Sequence, residues 1–197
     1  MELVGRSSSS FTRVARIFAL ELGVEHAFRP VFDLTSANAA AYAGNPALKI
    51  PILVDEQGPL FGTENICRVL ARGANPVVLR GDISDRLVAN MEELALHGLT
   101  TSVAIVMGKA TGGGASTKSR ESLEQTIGYL DTHVDALLAA LPERRISFVE
   151  TALFCLVRHL PWREVMNLDA FARLASFADT FGARGSARQT EYHFDQH

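Results

Sequence analysis

The chain is short of the residues that build secreted or metal-bound scaffolds: its 197 residues include two cysteines, Cys67 and Cys155. These allow at most one disulfide and form no C-x-x-C pair, which predicts a reducing, cytoplasmic setting. Dense Lys/Arg runs are missing and the formal net charge is −3, so nucleic acid is not an expected partner. No apolar run approaches the roughly 18 residues of a membrane span, so no membrane association is expected either. The first residues, Met1 to Ser10, lack the charged and apolar regions of a leader, and none is predicted. What remains is ordinary globular material, 47% hydrophobic and 21% charged, with enough chain for one large domain or two small ones.

The pattern changes character part-way along. Glu2–Gly5 reads as a short strand ending in a polar loop, Arg6 to Ser10. Phe11, Val14, Ala15, Ile17, Phe18 and Leu22 then recur at helical spacing until Gly23. Residues 26–32 read as a second strand, and Ser36 to Tyr42 as a helix. Ile52–Asp55 and Pro59–Phe61 flank Glu56-Gln57-Gly58 as a hairpin, and Thr63 is expected to cap a helix reaching about Arg72. After Gly73-Ala74-Asn75-Pro76 no strand signal returns. Helices are predicted at about 83–108, at 119–141, from Ser147 to Leu160-Pro161, and from Leu168 to Phe181. The third opens on Ser147-Phe148-Val149-Glu150, a capping box in which the serine takes an amide proton and the glutamate reaches back. The tail from Gly185 to His197 is expected to be irregular and on the surface. The expected domains are residues 1–74 and 82–197.

Asn45-Pro46-Ala47-Leu48-Lys49-Ile50-Pro51-Ile52-Leu53 is the most specific stretch. Proline donates no ladder hydrogen bond and is tolerated only at the start or edge of a strand. An X–Pro bond is also where a cis peptide is cheap, about 0.5–1 kcal/mol above trans. A cis Ile50–Pro51 bond would turn the Ile50 backbone outward, free to pair with an extended peptide.

Together with Leu3-Val4-Gly5, Ser7–Ser10, Arg13-Val14-Ala15-Arg16 and Leu60-Phe61-Gly62-Thr63-Glu64-Asn65-Ile66, this stretch resembles the soluble glutathione transferases, and the likeness covers nearly the whole chain. The loop carries serines, which is similar to the serine-type, bacterial-like members. The resemblance implies a thioredoxin-like α/β N-terminal domain followed by an all-α domain. It also implies glutathione as co-substrate, no metal, a small electrophilic second substrate in detoxification-type chemistry, and a homodimer. The hydroxyl over the glutathione sulfur is expected from Ser9, with Ser7, Ser8 and Ser10 as rivals in the same loop. Ser10, Phe11, Lys49, Ile50, Pro51, Thr63 and Glu64 are the expected binding residues, with Lys49 at the glycyl carboxylate and Thr63 at the glutamyl end. His97 and Thr101, with Ser102, fall where this fold keeps its second-substrate pocket.

Two positions depart from the family pattern. Gly62 replaces the acidic or Gln residue that helps hold the glutamyl end, a loss that neighbouring Glu64 or a partner subunit would have to offset. Ser10 stands where the loop proline is usual. Arg184-Gly185-Ser186 looks like a relaxed form of the family's R-P-S. The serine loop also has a plainer reading as a helix cap. The runner-up function is therefore a non-catalytic binding or regulatory module, with isomerase, dehalogenase or reductase activity as further alternatives. A loop without cysteine argues against reduction. Cys155 and His159, spaced i,i+4, could touch a metal, but buried cysteine is the commoner explanation. Gly108 to Ser116 resembles a phosphate loop only in composition and reads as a connector. Trp162, after Pro161, is expected to pack a helix junction.

Overall fold

The computed structural model describes residues 1–74, 76–80, 83–110 and 112–196. Asn75 in the expected inter-domain junction, Asp82 at the expected start of the second domain, Thr111 in the Gly-rich connector and His197 in the tail lie outside them.

Alternation along two strands organises the first half. In β1 (Glu2–Gly5), Leu3 and Val4 are both buried, one on each face. Strand β1 pairs in parallel with β2 (Ala27–Pro30) and antiparallel with β3 (Ile52–Asp55), which pairs with β4 (Gly58–Phe61), giving the order β2-β1-β3-β4. The register sets Leu3 opposite Leu53 and Val4 opposite Ile52. Leu3 and Leu53 join the core under α1 (Ser10–Leu22) and α2 (Thr63–Leu70); Val4 and Ile52 join Val31 and Tyr42 on the other face. Helix α1 buries Val14, Ala15, Ile17 and Phe18 and ends at Gly23, whose φ of 68° suits a residue without Cβ.

Two expectations about this half are corrected. The helix expected from Ser36 shrinks to a 3-10 turn at Ala39–Tyr42. The Ser36 hydroxyl and the Asn38 amide oxygen take the N–H groups of Asn38 and Ala40, competing with a longer helix. Thr63 does not cap α2 but is its first residue; the capping position is Gly62, which supplies no side-chain bond.

The second half is helical: α3 (Arg86–Ala110), α4 (Thr117–Ala140), α5 (Phe148–Trp162), α6 (Ala172–Gly182) and α7 (Gly185–Gln189). It also contains a parallel pair that was not expected, β5 (Val77–Val78) with β6 (Ile146–Ser147), because two-residue strands are too short to leave a periodic signal. Ser147 accepts from the Glu150 N–H at 3.2 Å as the capping box requires. The Glu150 carboxylate departs from that motif: it accepts from the Ser147 hydroxyl at 2.6 Å and from Arg144 at 2.5 and 2.8 Å. Helix α5 is buried on nearly every side and packs against α1, α3 and α6, so one apolar core runs through both halves. It continues through Pro161 to Trp162.

Where α3 crosses α5, a Cβ at Gly98 would stand 2.5 Å from Leu156 Cδ2, with Cδ1 at 3.3 Å. Gly98→Ala is therefore expected to destabilise by about 1–3 kcal/mol through overpacking. Thermal melting checks this: a drop of several degrees is expected, and an unchanged midpoint would mean that the crossing can yield.

Candidate functional site

The loop before β3 is held by one side chain. Asn45, buried, donates from Nδ2 to the Lys49 carbonyl at 2.8 Å and accepts from the Ala47 N–H at 3.0 Å. This delivers Ile50–Pro51 to the sheet with a cis peptide bond. Among the described residues, no partner takes either Ile50 backbone group. Pro51 is buried, Ile50 half-buried, and the Lys49 side chain exposed.

The four serines beside this loop divide into different roles. Ser9 is the N-cap of α1, and its hydroxyl oxygen accepts from the Thr12 N–H at 3.2 Å. That bond uses a lone pair and leaves the hydroxyl proton available. Ser10 is fully buried, and its hydroxyl has no partner among the described residues. Ser7 is buried, donates to Asp195 from Oγ at 2.6 Å and from its N–H at 2.9 Å, and accepts from Arg16 Nη1 at 3.1 Å. Ser8 is half-buried with His159 at its backbone. Phe11 is half-buried against the core.

Asp195 belongs to the tail, which was expected to be irregular and on the surface and is irregular from Glu191 to Gln196. Gly185–Gln189 instead forms α7, with Ser186 and Ala187 buried, and the chain then folds back over α5. Arg184 and Ser186 fasten it to Glu21 of α1, at 3.1 and 2.5 Å. Arg13, buried, donates to the Ala187 carbonyl and Thr190 hydroxyl and lies between the rings of Phe154 and Tyr192. The Tyr192 hydroxyl donates to the Cys155 carbonyl at 2.8 Å, and its ring stacks on Trp162, which Phe194 meets in turn. Trp162, the last residue of α5, thus packs against this tail rather than at the junction between helices that was expected.

Beneath Tyr192, His159 Nδ1 lies 2.9 Å from the Ser102 hydroxyl. Burial, with Arg163 second, pulls the His159 pKa down to about 4 against a contact with the Ser8 backbone that raises it. The ring is therefore neutral at pH 7. The ring thus has the Ser102 hydroxyl at Nδ1 and also meets the Ser8 backbone. Burial holds the Cys155 thiol up at about 12. Among the described residues no group of three or more His, Cys, Asp or Glu converges on a metal position.

Thr63, at the start of α2, is nearly buried. Glu64 is engaged by Arg80 through two bonds of 2.7 Å, and this holds its carboxyl below the ordinary range. Gly62 has a φ of 90°, where a side chain would strain the backbone. His97 is exposed, bonded to Ser122 of α4 at 3.0 Å and near the Thr101 hydroxyl at 3.5 Å. Of the α3 candidates it is Ser102 that connects, through His159, to the serine loop. The tail residues and the arginines Arg6 and Arg163 escaped the sequence reading. The alternation Tyr192-x-Phe194 in a polar tail was the available signal.

A sequence model of the glutathione S-transferase N-terminal domain family matches residues 8–72. The overall arrangement is similar to a glutathione S-transferase from Methylobacillus flagellatus with glutathione bound, at 20% identity and a TM-score of 0.79 over 98% of this chain and 99% of that one. A glutathione transferase family member from Pseudomonas fluorescens with bound glutathione gives 20% and 0.81, covering 98% of each chain. Gtt2 from Saccharomyces cerevisiae gives 13% and 0.78, covering 96% of this chain and 100% of that one. The chain has the glutathione transferase fold. No curated protein sequence matches it. Among the described residues, no helix is long and apolar enough to cross a membrane.

Two outcomes follow for stability. Removing the partnerless Ser10 hydroxyl, as in Ser10→Ala, is expected to leave the melting temperature unchanged or raise it; a marked loss would reveal a bond that the hydroxyl makes. His159 binds its proton less readily when folded, with a pKa of about 4 against an ordinary 6.5. The unfolded chain therefore takes up the proton first as pH falls. The stability is complete above about pH 6.5 and is lost toward pH 4, on the order of 3 kcal/mol in all. His159→Gln should flatten urea-melt stability against pH over that window; an unchanged slope would assign it to other groups.

Proposed function

We propose that the chain is a glutathione transferase: it binds glutathione, holds its thiol as thiolate and lets the sulfur attack a small electrophile. The observation that carries this reading is the Ser9 hydroxyl, which accepts from Thr12 and keeps its proton to donate at the mouth of α1. The match over residues 8–72 and the glutathione bound by two proteins of the same fold support it.

In this reading residues 1–74 hold glutathione. Ile50 pairs with the cysteinyl backbone beside Pro51, Lys49 meets the glycyl carboxylate, and Thr63 with the uncapped first amides of α2 meets the glutamyl carboxylate. Residues 82–197 receive the electrophile. A free thiol near pKa ~8.5 is mostly protonated at pH 7, and lowering it by about two units is worth roughly 2.7 kcal/mol. Donation from Ser9, the positive end of α1 and the guanidinium groups of Arg13 and Arg16 act in that direction. The carbon–sulfur bond forms as the leaving group departs, or as an activated double bond takes the electron pair and then a proton. A cytoplasmic homodimer belongs to the same reading.

A second reading, a non-catalytic module, is favoured by the Glu64–Arg80 pair, which engages the carboxylate two residues from Gly62. Calorimetry with glutathione separates the two, since a dissociation constant far above millimolar favours the module. If the transferase reading holds, Ser9→Ala should lower kcat/KM with a chloro-dinitrobenzene acceptor by about 10²-fold. It should also raise the pKa of the bound thiol, followed by thiolate absorbance. Ser9→Thr should keep both properties. A shared loss of about 1 kcal/mol of capping would show in melting but not in the pH profile. Should Ser9→Ala leave both the rate and the thiol pKa alone, the sulfur is held elsewhere.

A further inference from the structure

We propose that Trp162, Arg163, Arg6 and Ser7 form a binding site for a small aromatic carboxylate, which the chain's own Phe194–Asp195 fills in this structure. The occupant shows the chemistry. Phe194 is 59% exposed, an unusual position for a phenyl ring, yet it leans on Trp162 with centroids 5.2 Å apart and lies under the Arg163 guanidinium at 5.3 Å. Arg163 covers the Trp162 ring as well, at 5.2 Å. The next residue supplies the carboxylate. Asp195 Oδ2 accepts from the Ser7 N–H, Oδ1 from the Ser7 hydroxyl, and His193 Nε2 stands 3.8 Å from Oδ1. Arg16 supports it from behind through the same hydroxyl. An arene and a carboxylate are thus held side by side, on an aromatic wall and a hydrogen-bonding rim.

The site holds more positive charge than this occupant neutralises. Arg6 Nε is buried with no partner, and Arg163 forms no ion pair among the described residues. Arg163 is held below its ordinary pKa by burial and by Arg6, so the two guanidinium groups repel each other. Partly desolvated cations left in that state gain when a carboxylate joins them, and the planar guanidinium fork suits a carboxylate face-on. Phe194, exposed and held only by ring contacts, is the part of the tail that a ligand would displace most cheaply.

The assignment of the site does not need glutathione. It rests on the transferase reading only in taking the aromatic carboxylate to be the electrophile. On that basis the sulfur would attack a ring or side-chain carbon of the bound acid, forming carbon–sulfur and releasing a leaving group such as chloride, while the thiol proton passes to water.

Trp162 is the chain's single tryptophan, so its fluorescence reports on this wall directly. The full chain is titrated without glutathione against 3-nitrobenzoate and, as its neutral isostere, 3-nitrobenzamide. Saturable quenching by the benzoate is expected, with affinity about tenfold or more above the amide, the size of one charge-assisted hydrogen bond. Arg163→Gln and, separately, Arg6→Gln should remove that preference, and Arg163→Lys should keep part of it. Asp195→Asn and Phe194→Ala should act in the opposite direction, tightening benzoate binding by weakening the competitor. Equal binding of acid and amide, no saturable quenching, or a loss at Asp195→Asn as large as at Arg163→Gln would overturn the proposal. Failure of the transferase reading would appear separately, in the glutathione calorimetry.

Discussion

A buried cation holds the two halves of this molecule together. Arg13 projects from the second turn of α1 into the core, 4% exposed, and no carboxylate pairs with it among the described residues. A guanidinium taken out of water must recover its lost solvation from whatever surrounds it. Here the ring faces of Phe154 and Tyr192 lie on it at 4.8 and 4.3 Å, and the Ala187 carbonyl and Thr190 hydroxyl accept its protons. Each partner comes from a different part of the helical half. Satisfying one charge therefore fixes α5, α7 and the start of the tail relative to α1 at once.

The consequence reaches the serine loop. Once Tyr192 is committed to Arg13 and Trp162, the tail has only three residues in which to reach Asp195, and these bring a carboxylate to Ser7. On the neighbouring residue, the neutral His159, oriented by Ser102, meets the Ser8 backbone. Two successive loop residues are thus held from the helical half, and the third, Ser9, is left to cap α1. Preorganisation of this kind matters for a hydrogen-bond donor aimed at developing charge, because a donor that must reorient loses most of its advantage. The cap also explains why Ser9 and Ser10, adjacent in sequence, behave differently: one residue step of about 100° around the helix axis leaves Ser9 at the rim and turns Ser10 into the interior.

Local chemistry made the first half legible in the sequence. Alternation placed Leu3 and Leu53 on one face of the sheet, helical spacing placed Ile17 and Phe18 under it, and Asn45 with two prolines marked the loop before β3. The helical half was legible as helices because their apolar stripes are long. What escaped depended on distant partners. Thr63 has the composition of a cap, yet the backbone turns at Gly62 with φ positive and takes that position. The strands β5 and β6 exist only because each finds the other far along the chain, Val77 opposite Ile146 and Val78 opposite Ser147. The tail has no periodicity, and its order comes from a cation and a ring that lie far away in sequence. His159 looked like half of a metal pair with Cys155, whereas its neighbours through space are a serine, two aromatic rings and the loop.

Arg6, Arg13, Arg16 and Arg163 gather at the mouth of α1, and Asp195 approaches Arg16 through the Ser7 hydroxyl they share. Two unit charges about 6 Å apart interact by roughly 3 kcal/mol at an effective dielectric near 20. A thiolate arriving beside Asp195 would therefore give up part of the attraction of the arginines. Exchanging Asp195 for the carboxylate of a bound acid leaves the net charge the same but sets the anion beside Arg6 and Arg163, with which Asp195 forms no ion pair among the described residues, so placement of the charge rather than its amount separates the two states. Beyond Tyr192 the tail is held by the ring contacts of Phe194 and by the two hydrogen bonds from Ser7 to Asp195, and a bound aromatic acid would have to replace both. With Asp195 bound at Ser7 and Phe194 on Trp162, the tail covers the aromatic wall, while among the described residues Arg6 and Arg163 form no ion pair with it.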